Sequence, residues 1–159
     1  MDKKRPYYHT TVGNNYRMTN IQAAIGCAQM KKINFIIRKK IKIAKLYNKY
    51  LSENPMIIRP FTKPNVKNVF WMYCVSIPKF KNLMRKKLMR KLLQKGIETR
   101  EMFVPCNLQK IFLKNKLFER KECPRANTIA FKSFYLPSGM DLREKDIKFI
   151  CNELNNLVA

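Results

Sequence analysis

The sequence has few of the side chains on which enzyme active sites most often depend. Its 159 residues include one histidine, His9, and ten acidic residues, so few groups are available for general acid–base catalysis. It contains no recognisable pair of catalytic carboxylates, no Ser-His-Asp set and no glycine-rich phosphate loop. The residues alone therefore predict no self-contained catalytic centre.

The cysteine pattern is equally uninformative about catalysis. The five cysteines are scattered, never form a C-x-x-C pair, and are Cys27, Cys74, Cys106, Cys123 and Cys151. With one histidine in the chain, we expect no metal site, and we interpret the cysteines as reduced thiols. No apolar run is long enough to span a bilayer, and the opening "MDKKRPYYHT" lacks the apolar core of a secretory signal. We therefore expect a cytoplasmic protein that does not enter a membrane.

The most prominent feature of the composition is a formal net charge of +24. Clustered basic side chains bind phosphates, so one interpretation is a nucleic-acid-binding protein. The excess, however, is mostly lysine and is spread along the chain, and Asn and Ile are also abundant. A gene rich in A and T accounts for all three residue types, and no nucleic-acid-binding motif is recognisable. We therefore do not expect nucleic acid as a partner.

The first third of the chain divides into a loop and a helical segment. Residues 1–18 are expected to form a loop, and Thr19 or Asn20 can cap the helix that follows. The stretch "NIQAAIGCAQ" is nearly uncharged and rich in small residues, which predicts a close packing face. Apolar residues then recur at helical spacing as far as Leu51, so residues 19–54 are predicted to be a long helical connector.

The remaining residues, 55–159, predict an α+β domain with a small, mostly antiparallel sheet covered on one side by helices. Strands are predicted over residues 56–60, 69–77 and 97–104, and "YLPSG" is predicted to form the end of a strand and a turn. Helices are predicted over residues 81–96, 124–132 and from Asp141 to the end. Gly96 is expected at the C-terminal end of the first of these helices. Glu144 is expected to form a capping box with Asp141, and the inner residues of the last helix are Ile147, Ile150, Cys151, Leu154, Leu157 and Val158.

Three polar residues precede the neutral helix and form the best candidate for ligand binding. Asn15, Tyr16 and Arg17 lie just before a helix N-terminus, where free N–H groups favour an anion. An amide and a guanidinium at this position suit a phosphate. The alternative is that Asn14 and Asn15 only form a turn and that Arg17 pairs with a surface carboxylate.

Three blocks of the sequence resemble the DegT/StrS-type sugar-nucleotide aminotransferases, in the order in which that family has them. "GNNYRMTNIQAAIGCAQ" resembles the family segment around N-Y-R-M-T-N, "IETREMFVPCNLQKIF" resembles its T-R-x-x-F-x-P-x-H-x-Q segment, and "FYLPSGMDLREKDI" resembles its P-S-G turn and final helix. The first block carries most of the specificity. The resemblance implies the small C-terminal domain of an aspartate-aminotransferase-type (fold type I) enzyme, most similar to the perosamine-synthase branch.

The resemblance also implies roles for individual residues. Asn15 is matched to the family asparagine that crosses a dimer interface and binds the phosphate of pyridoxal 5'-phosphate in the neighbouring subunit. Arg17, Tyr16 and His9 are the implied contacts to phosphate or to a sugar-nucleotide substrate. Asn107 occupies the position where the family commonly has histidine, so its contact with substrate is an open expectation. No residue here is assigned a catalytic role.

The resemblance further implies that the 159 residues lack the large domain that carries the Schiff-base lysine of the family. We therefore expect the chain to be inactive alone and to depend on a homodimer or on a complementary large-domain chain. The whole enzyme would transfer an amino group from glutamate to a keto-sugar nucleotide. Two alternatives stay open at this point: a non-enzymatic remnant or scaffold that exposes its interface and self-associates, and a basic nucleic-acid-binding protein.

Overall fold

A computed structural model of the protein describes residues 13–114 and 122–158. The chain divides into two compact units, Met1–Asn34 and Phe35–Ala159. In the part of the chain that is described, no helix has the length and apolar character needed to cross a bilayer.

The first unit contains helix α1, Asn20–Lys31, preceded by residues 13–19, which form neither helix nor strand. Thr19 is its N-cap: the Thr19 hydroxyl accepts from the Gln22 N–H, and the Gln22 side chain accepts from the Thr19 N–H. This capping box confirms the predicted start of the helix. None of the residues of α1 is buried, so its apolar side chains lie exposed.

Helix α2, Ile33–Tyr50, follows after an interruption at Lys32. The Lys32 N–H donates to the carbonyl of Gln29, three residues back, which closes α1. The predicted helical segment is thus two helices, and α2 ends at Tyr50, one residue before Leu51, where the predicted helical spacing ends. Ile43, Ala44 and Tyr47 form the buried face of α2.

The second unit contains a three-stranded antiparallel sheet in the order β1-β3-β2. Strand β1 is Tyr73–Ser76, β2 is Arg100–Glu101 and β3 is Ser133–Leu136. The helices of this unit after α2 are α3 (Asn82–Gln94), α4 (Lys110–Lys114), α5 (Pro124–Lys132) and α6 (Glu144–Val158). The observed mixed architecture with a small antiparallel sheet confirms the predicted fold class.

One face of the sheet contributes to the hydrophobic core. Tyr73 and Val75 of β1 and Phe134 and Leu136 of β3 are buried and alternate with less buried residues, as period-2 strands require. They pack with buried side chains of α2, α3 and α6. On α6, every residue of the predicted inner face is buried except Leu157, which is partly buried.

The strands are shorter than predicted. Residues 56–60 contribute a single bridge, between Ile58 and Ser76, and β2 is two residues long. Strand β1 starts only at Tyr73 because Phe70, three residues earlier, has a positive φ of 48° that is incompatible with a strand. Apolar and β-branched composition alone does not reveal such a break.

Helix α3 buries a different face from the predicted one. Leu88 and Leu92 are buried as expected, whereas Leu83, Met84 and Leu93 are exposed, and their place inside is taken by Arg85. The Arg85 guanidinium is buried because it donates to the carbonyls of Ala130 and Ser133, on elements remote in sequence.

The ends of two helices test the remaining local predictions. Gly96 follows α3 with a φ of +77°, which confirms its predicted position at the helix end. Helix α6 begins at Glu144, and the carboxylate that accepts at its start belongs to Asp146, bound to the Arg143 N–H. The predicted capping box of Asp141 with Glu144 is therefore wrong, because Glu144 instead accepts from the Tyr50 hydroxyl.

Candidate functional site

The segment that precedes α1 forms a turn with unused donors. The Asn15 side-chain oxygen accepts from the Arg17 N–H at 3.0 Å, which is the turn that the alternative interpretation predicted. Within residues 13–114 and 122–158, the Asn15 side-chain NH₂ and the Arg17 guanidinium donate no hydrogen bond, and Arg17 forms no ion pair. The turn therefore leaves an amide donor and a cation available.

The surroundings of these donors suit an anion. The first turn of α1 contains no acidic residue, and its N-terminal N–H groups carry partial positive charge. The side chain of Tyr16 is 90% exposed, between the two donor residues. This donor set fits the phosphate of a cofactor, because amide and guanidinium N–H groups are its natural partners.

The other two residues predicted to bind substrate are placed differently. His9 lies outside the described residues. Asn107 lies in a short 3-10 turn, Cys106–Leu108, and is only 8% exposed. Its side-chain amide donates to the Asn127 side-chain oxygen of α5 at 3.1 Å, so Asn107 joins two segments of the second unit. Asn15 belongs to the first unit and Asn107 to the second.

An open cleft of about 930 Å³ lies in the second unit at the ends of β2 and β3. Trp71, Arg100 and Tyr135 contribute to its wall on the sheet side, and Lys145 contributes from α6. A volume of this size is in the range of small-molecule sites. The residues described include no group of three or more His, Cys, Asp or Glu side chains that could hold a metal ion.

The strand register places a cation and an aromatic ring on the sheet face opposite to the core. Arg100 pairs with Tyr135, and Tyr135 also pairs with Cys74 of β1, so these three side chains lie on one face. Phe103 stands between two other rings: its centroid is 6.4 Å from that of Trp71 and 5.8 Å from that of Tyr135. The face away from the core thus carries a continuous aromatic surface beside Arg100.

Lys40 of α2 fixes one wall of this cleft. Its ammonium donates to the carbonyl of Ser138 at 2.6 Å and to the carbonyl of Trp71 at 3.1 Å. Partial burial lowers the pKa of Lys40. Burial raises the pKa of the Tyr135 hydroxyl and also the pKa of the Cys74 thiol. Both groups therefore stay neutral near pH 7. The cleft therefore combines basic side chains, carboxylates and neutral aromatic side chains.

Comparison with known proteins bears directly on the three sequence blocks. Residues 1–155 match the DegT/DnrJ/EryC1/StrS aminotransferase family. The chain belongs to this family. The matched residues include all three sequence blocks, which confirms the resemblance inferred from the sequence.

Named relatives of this DegT-family chain include two GDP-perosamine synthases. The protein from Vibrio cholerae is 31% identical over 150 residues, covering 94% of this chain and 40% of the relative. The protein from Escherichia coli O157:H7 is 32% identical over 155 residues, covering 98% of this chain and 40% of the relative. This chain therefore spans about two-fifths of the length of these relatives.

Solved structures agree on the fold of this DegT-family chain. Helicobacter pylori PseC, an aminotransferase involved in pseudoaminic acid biosynthesis, superimposes with a TM-score of 0.81 at 19% identity, over 97% of this chain and 42% of PseC. The aminotransferase TlmJ from Streptoalloteichus hindustanus gives 0.79 at 21% identity, over 93% of this chain and 38% of TlmJ. This chain therefore has the fold of the matched part of both structures.

Sequence reasoning missed the cleft of the second unit. Arg100 lies inside the "TR" of the second block, but neither composition nor spacing singles it out from the other basic residues. Trp71 is the only tryptophan of the chain, and this is the sequence signal that could indicate the cleft. The proximity of Arg100 and Trp71 depends on strand pairing between residues that are far apart in the chain.

Proposed function

We propose that this chain is the C-terminal part of a pyridoxal-phosphate-dependent aminotransferase that transfers an amino group from glutamate to a keto-sugar nucleotide in amino-sugar biosynthesis. The family match over residues 1–155, together with GDP-perosamine synthases at about 30% identity, is the observation that supports it. The proposed arrangement has residues 1–18 as an interface and active-site loop, 19–54 as the helical connector and 55–159 as the small domain.

In this proposal, Asn15 holds the phosphate of pyridoxal phosphate in a neighbouring subunit, and Arg17 assists. Support comes from the unused amide and guanidinium donors beside the N-terminus of α1. When bound, the cofactor supplies the electron sink that amino-group transfer needs. The residues of this chain only bind and orient it, so the isolated chain is proposed to be inactive.

The partner is proposed to be a second copy of this chain, in a homodimer, or a complementary large-domain chain. Ile21, Ile25 and Met30 of α1 are each 60% exposed or more, which is unusual for apolar side chains on one helix. We expect the isolated chain to self-associate through them. Size-exclusion chromatography would show a dimer or larger species for the wild type and a smaller one for Ile25→Glu. A wild-type chain that is monomeric at high concentration would contradict this part of the proposal.

The decisive experiment mixes the purified chain with the segment of Vibrio cholerae GDP-perosamine synthase that lies outside the matched region. We expect the mixture, and neither component alone, to bind pyridoxal phosphate with its characteristic absorbance change. Asn15→Asp should weaken cofactor binding because a carboxylate repels phosphate, whereas the neighbouring Asn14→Asp is the matched control and should not. Transamination by the isolated chain, or equal effects of the two variants, would overturn the proposal.

A further inference from the structure

We propose that the exposed side of helix α3 binds the surface of an anionic phospholipid bilayer. This side, called the basic face below, consists of Leu83, Lys86, Lys87, Arg90, Lys91 and Leu93. Its residues do not line the cleft, and its assignment does not depend on the proposed function. Binding at the level of the lipid headgroups requires no helix that crosses the bilayer.

The packing of α3 leaves the basic face in water. The buried residues of this helix share one side of it and are Arg85, Leu88 and Leu92. Residues at spacings of four and three occupy the opposite side, beginning with Leu83, Lys87 and Arg90, and all three are exposed. Lys86 and Lys91 flank them and are exposed too. Since α3 has 13 residues, the face is about 20 Å long, which is enough to contact several headgroups.

The charges of the basic face are largely without counter-charges from the protein. Within residues 13–114 and 122–158, Lys87, Arg90 and Lys91 form no ion pair. Lys86 approaches the carboxylate of Glu101 at 3.9 Å, a long contact between two half-exposed side chains. Because α3 contains no acidic residue, its exposed side is positive from end to end.

The lysine-rich composition of the chain does not account for this arrangement. A surplus of lysine raises the number of positive charges but does not exclude acidic residues from a helix. Helix α6 of the same unit contains Glu144, Asp146 and Glu153. On α3, the like-charged residues four positions apart are Lys86 with Arg90 and Lys87 with Lys91. Such pairs repel each other on a helix, and an anionic surface would relieve that repulsion.

Exposed leucines within the basic face favour a bilayer over a nucleic acid. Leu83 is 67% exposed and Leu93 is 61% exposed. A leucine gains little from the phosphates of a nucleic acid. At a bilayer, leucine side chains enter the boundary between headgroups and acyl chains, while lysine and arginine bind the lipid phosphates. The mixture of basic and apolar side chains on one face therefore matches the layered chemistry of a membrane surface.

Flotation of the full 159-residue chain with phospholipid vesicles tests this binding. Vesicles made of equal parts of phosphatidylglycerol and phosphatidylcholine are compared with vesicles of phosphatidylcholine alone. Flotation is used because self-associated protein without lipid does not rise. We expect the chain to float with the anionic vesicles only. A wild-type chain that stays at the bottom with both kinds of vesicle would overturn the inference.

A pair of double variants separates the basic face from the total charge of +24. Lys87→Gln/Arg90→Gln should bind the anionic vesicles about tenfold more weakly or worse, because two headgroup contacts are lost. Lys63→Gln/Lys67→Gln removes the same charge from two exposed residues outside α3 and is the matched control, expected to bind like the wild type. Equal weakening by the two double variants would show that any positive surface suffices and would overturn the inference.

A variant of unchanged charge tests the apolar contact and distinguishes lipid from nucleic acid. Leu83→Gln should weaken binding to the anionic vesicles by about threefold or more and leave any binding to double-stranded DNA unchanged. Phe61→Gln, at a residue that is 82% exposed and lies outside α3, is the control and should bind vesicles like the wild type. Circular dichroism checks that each variant is folded. Unchanged vesicle binding by Leu83→Gln would make the basic face a general polyanion site and would overturn the assignment to a bilayer.

Discussion

The guanidinium of Arg85, on α3, lies 2.7 Å from the carboxylate of Glu101, on β2, with one partner almost fully buried and the other half exposed. Arg85 also donates to the carbonyls of Ala130 and Ser133, each at 3.0 Å. One side chain thus connects a helix to both strands of the β2–β3 pair and to the end of α5. The buried charge is tolerated because acceptors surround most of its donors.

Replacing this arginine should destabilise the second unit. Arg85→Met keeps the length of the side chain but leaves two carbonyls without this donor, which costs about 2–4 kcal/mol. Urea unfolding measures the loss. Arg90→Met on the exposed side of the same helix is the control and should change stability by less than about 0.5 kcal/mol. Similar losses for the two variants would mean that the Arg85 contacts do not support the fold.

Two glycines should respond in opposite directions to alanine. An added Cβ would meet no atom within 4 Å at either Gly96 or Gly26, so only backbone conformation matters. Gly96 has a φ of +77°, and Gly96→Ala should cost about 1–2 kcal/mol in urea unfolding. Gly26 lies inside α1, and Gly26→Ala should stabilise that helix by about 1 kcal/mol, seen as slower amide exchange.

The same Gly26→Ala variant also tests the proposed interface. If α1 packs closely against a partner, an added methyl group there should weaken assembly while it strengthens the helix. Analytical ultracentrifugation against wild type measures this. Unchanged assembly would contradict close packing at Gly26.

The capping box at the start of α1 should be essential for its first turn. Thr19→Ala removes the acceptor for the Gln22 N–H and should destabilise the helix by about 1 kcal/mol. Amide exchange at Gln22 and Ala23 reports the loss. Thr19→Ser retains the hydroxyl and is the control, so faster exchange in both variants would argue against the cap.

Stability should decline at alkaline pH because of a buried thiol. Burial raises the pKa of Cys151 from 9.0 to about 12. The folded state therefore keeps this proton while the unfolded state loses it, so the contribution is constant below about pH 9 and is lost as the pH rises towards 12. Burial also raises the pKa of Tyr47 and of Tyr73, which adds to the decline above pH 10.

The thiol share of this decline can be isolated. Each proton contributes a slope of up to about 1.4 kcal/mol per pH unit. Cys151→Ala should lower stability at pH 7 through the cavity it leaves, yet show a shallower decline above pH 9. Cys27→Ala, at an exposed position, is the control and should follow the wild type. An unchanged slope in Cys151→Ala would exclude the thiol as a cause.

Local signals in the sequence were sufficient for several elements. The inner face of α6 follows from the helical spacing of Ile147, Ile150 and Leu154, and the position of Gly96 follows from its freedom at positive φ. The strands predicted from the sequence are too long, because the β propensity of a residue does not indicate a positive φ such as that of Phe70. The capping box at α6 was misassigned because Tyr50, 94 residues away, binds the Glu144 carboxylate.

The sequence by itself determined the family, the capped start of α1 and the amphipathic face of α6, since each depends on residues adjacent in the chain. Only the tertiary structure decided that Arg85 is buried and that Arg100 shares a cleft with Trp71. The physical reason is that the residues next to an arginine in the sequence are the same whether its side chain is buried in the protein or exposed to water. Its environment is set by strand pairing and by carbonyls contributed from distant segments.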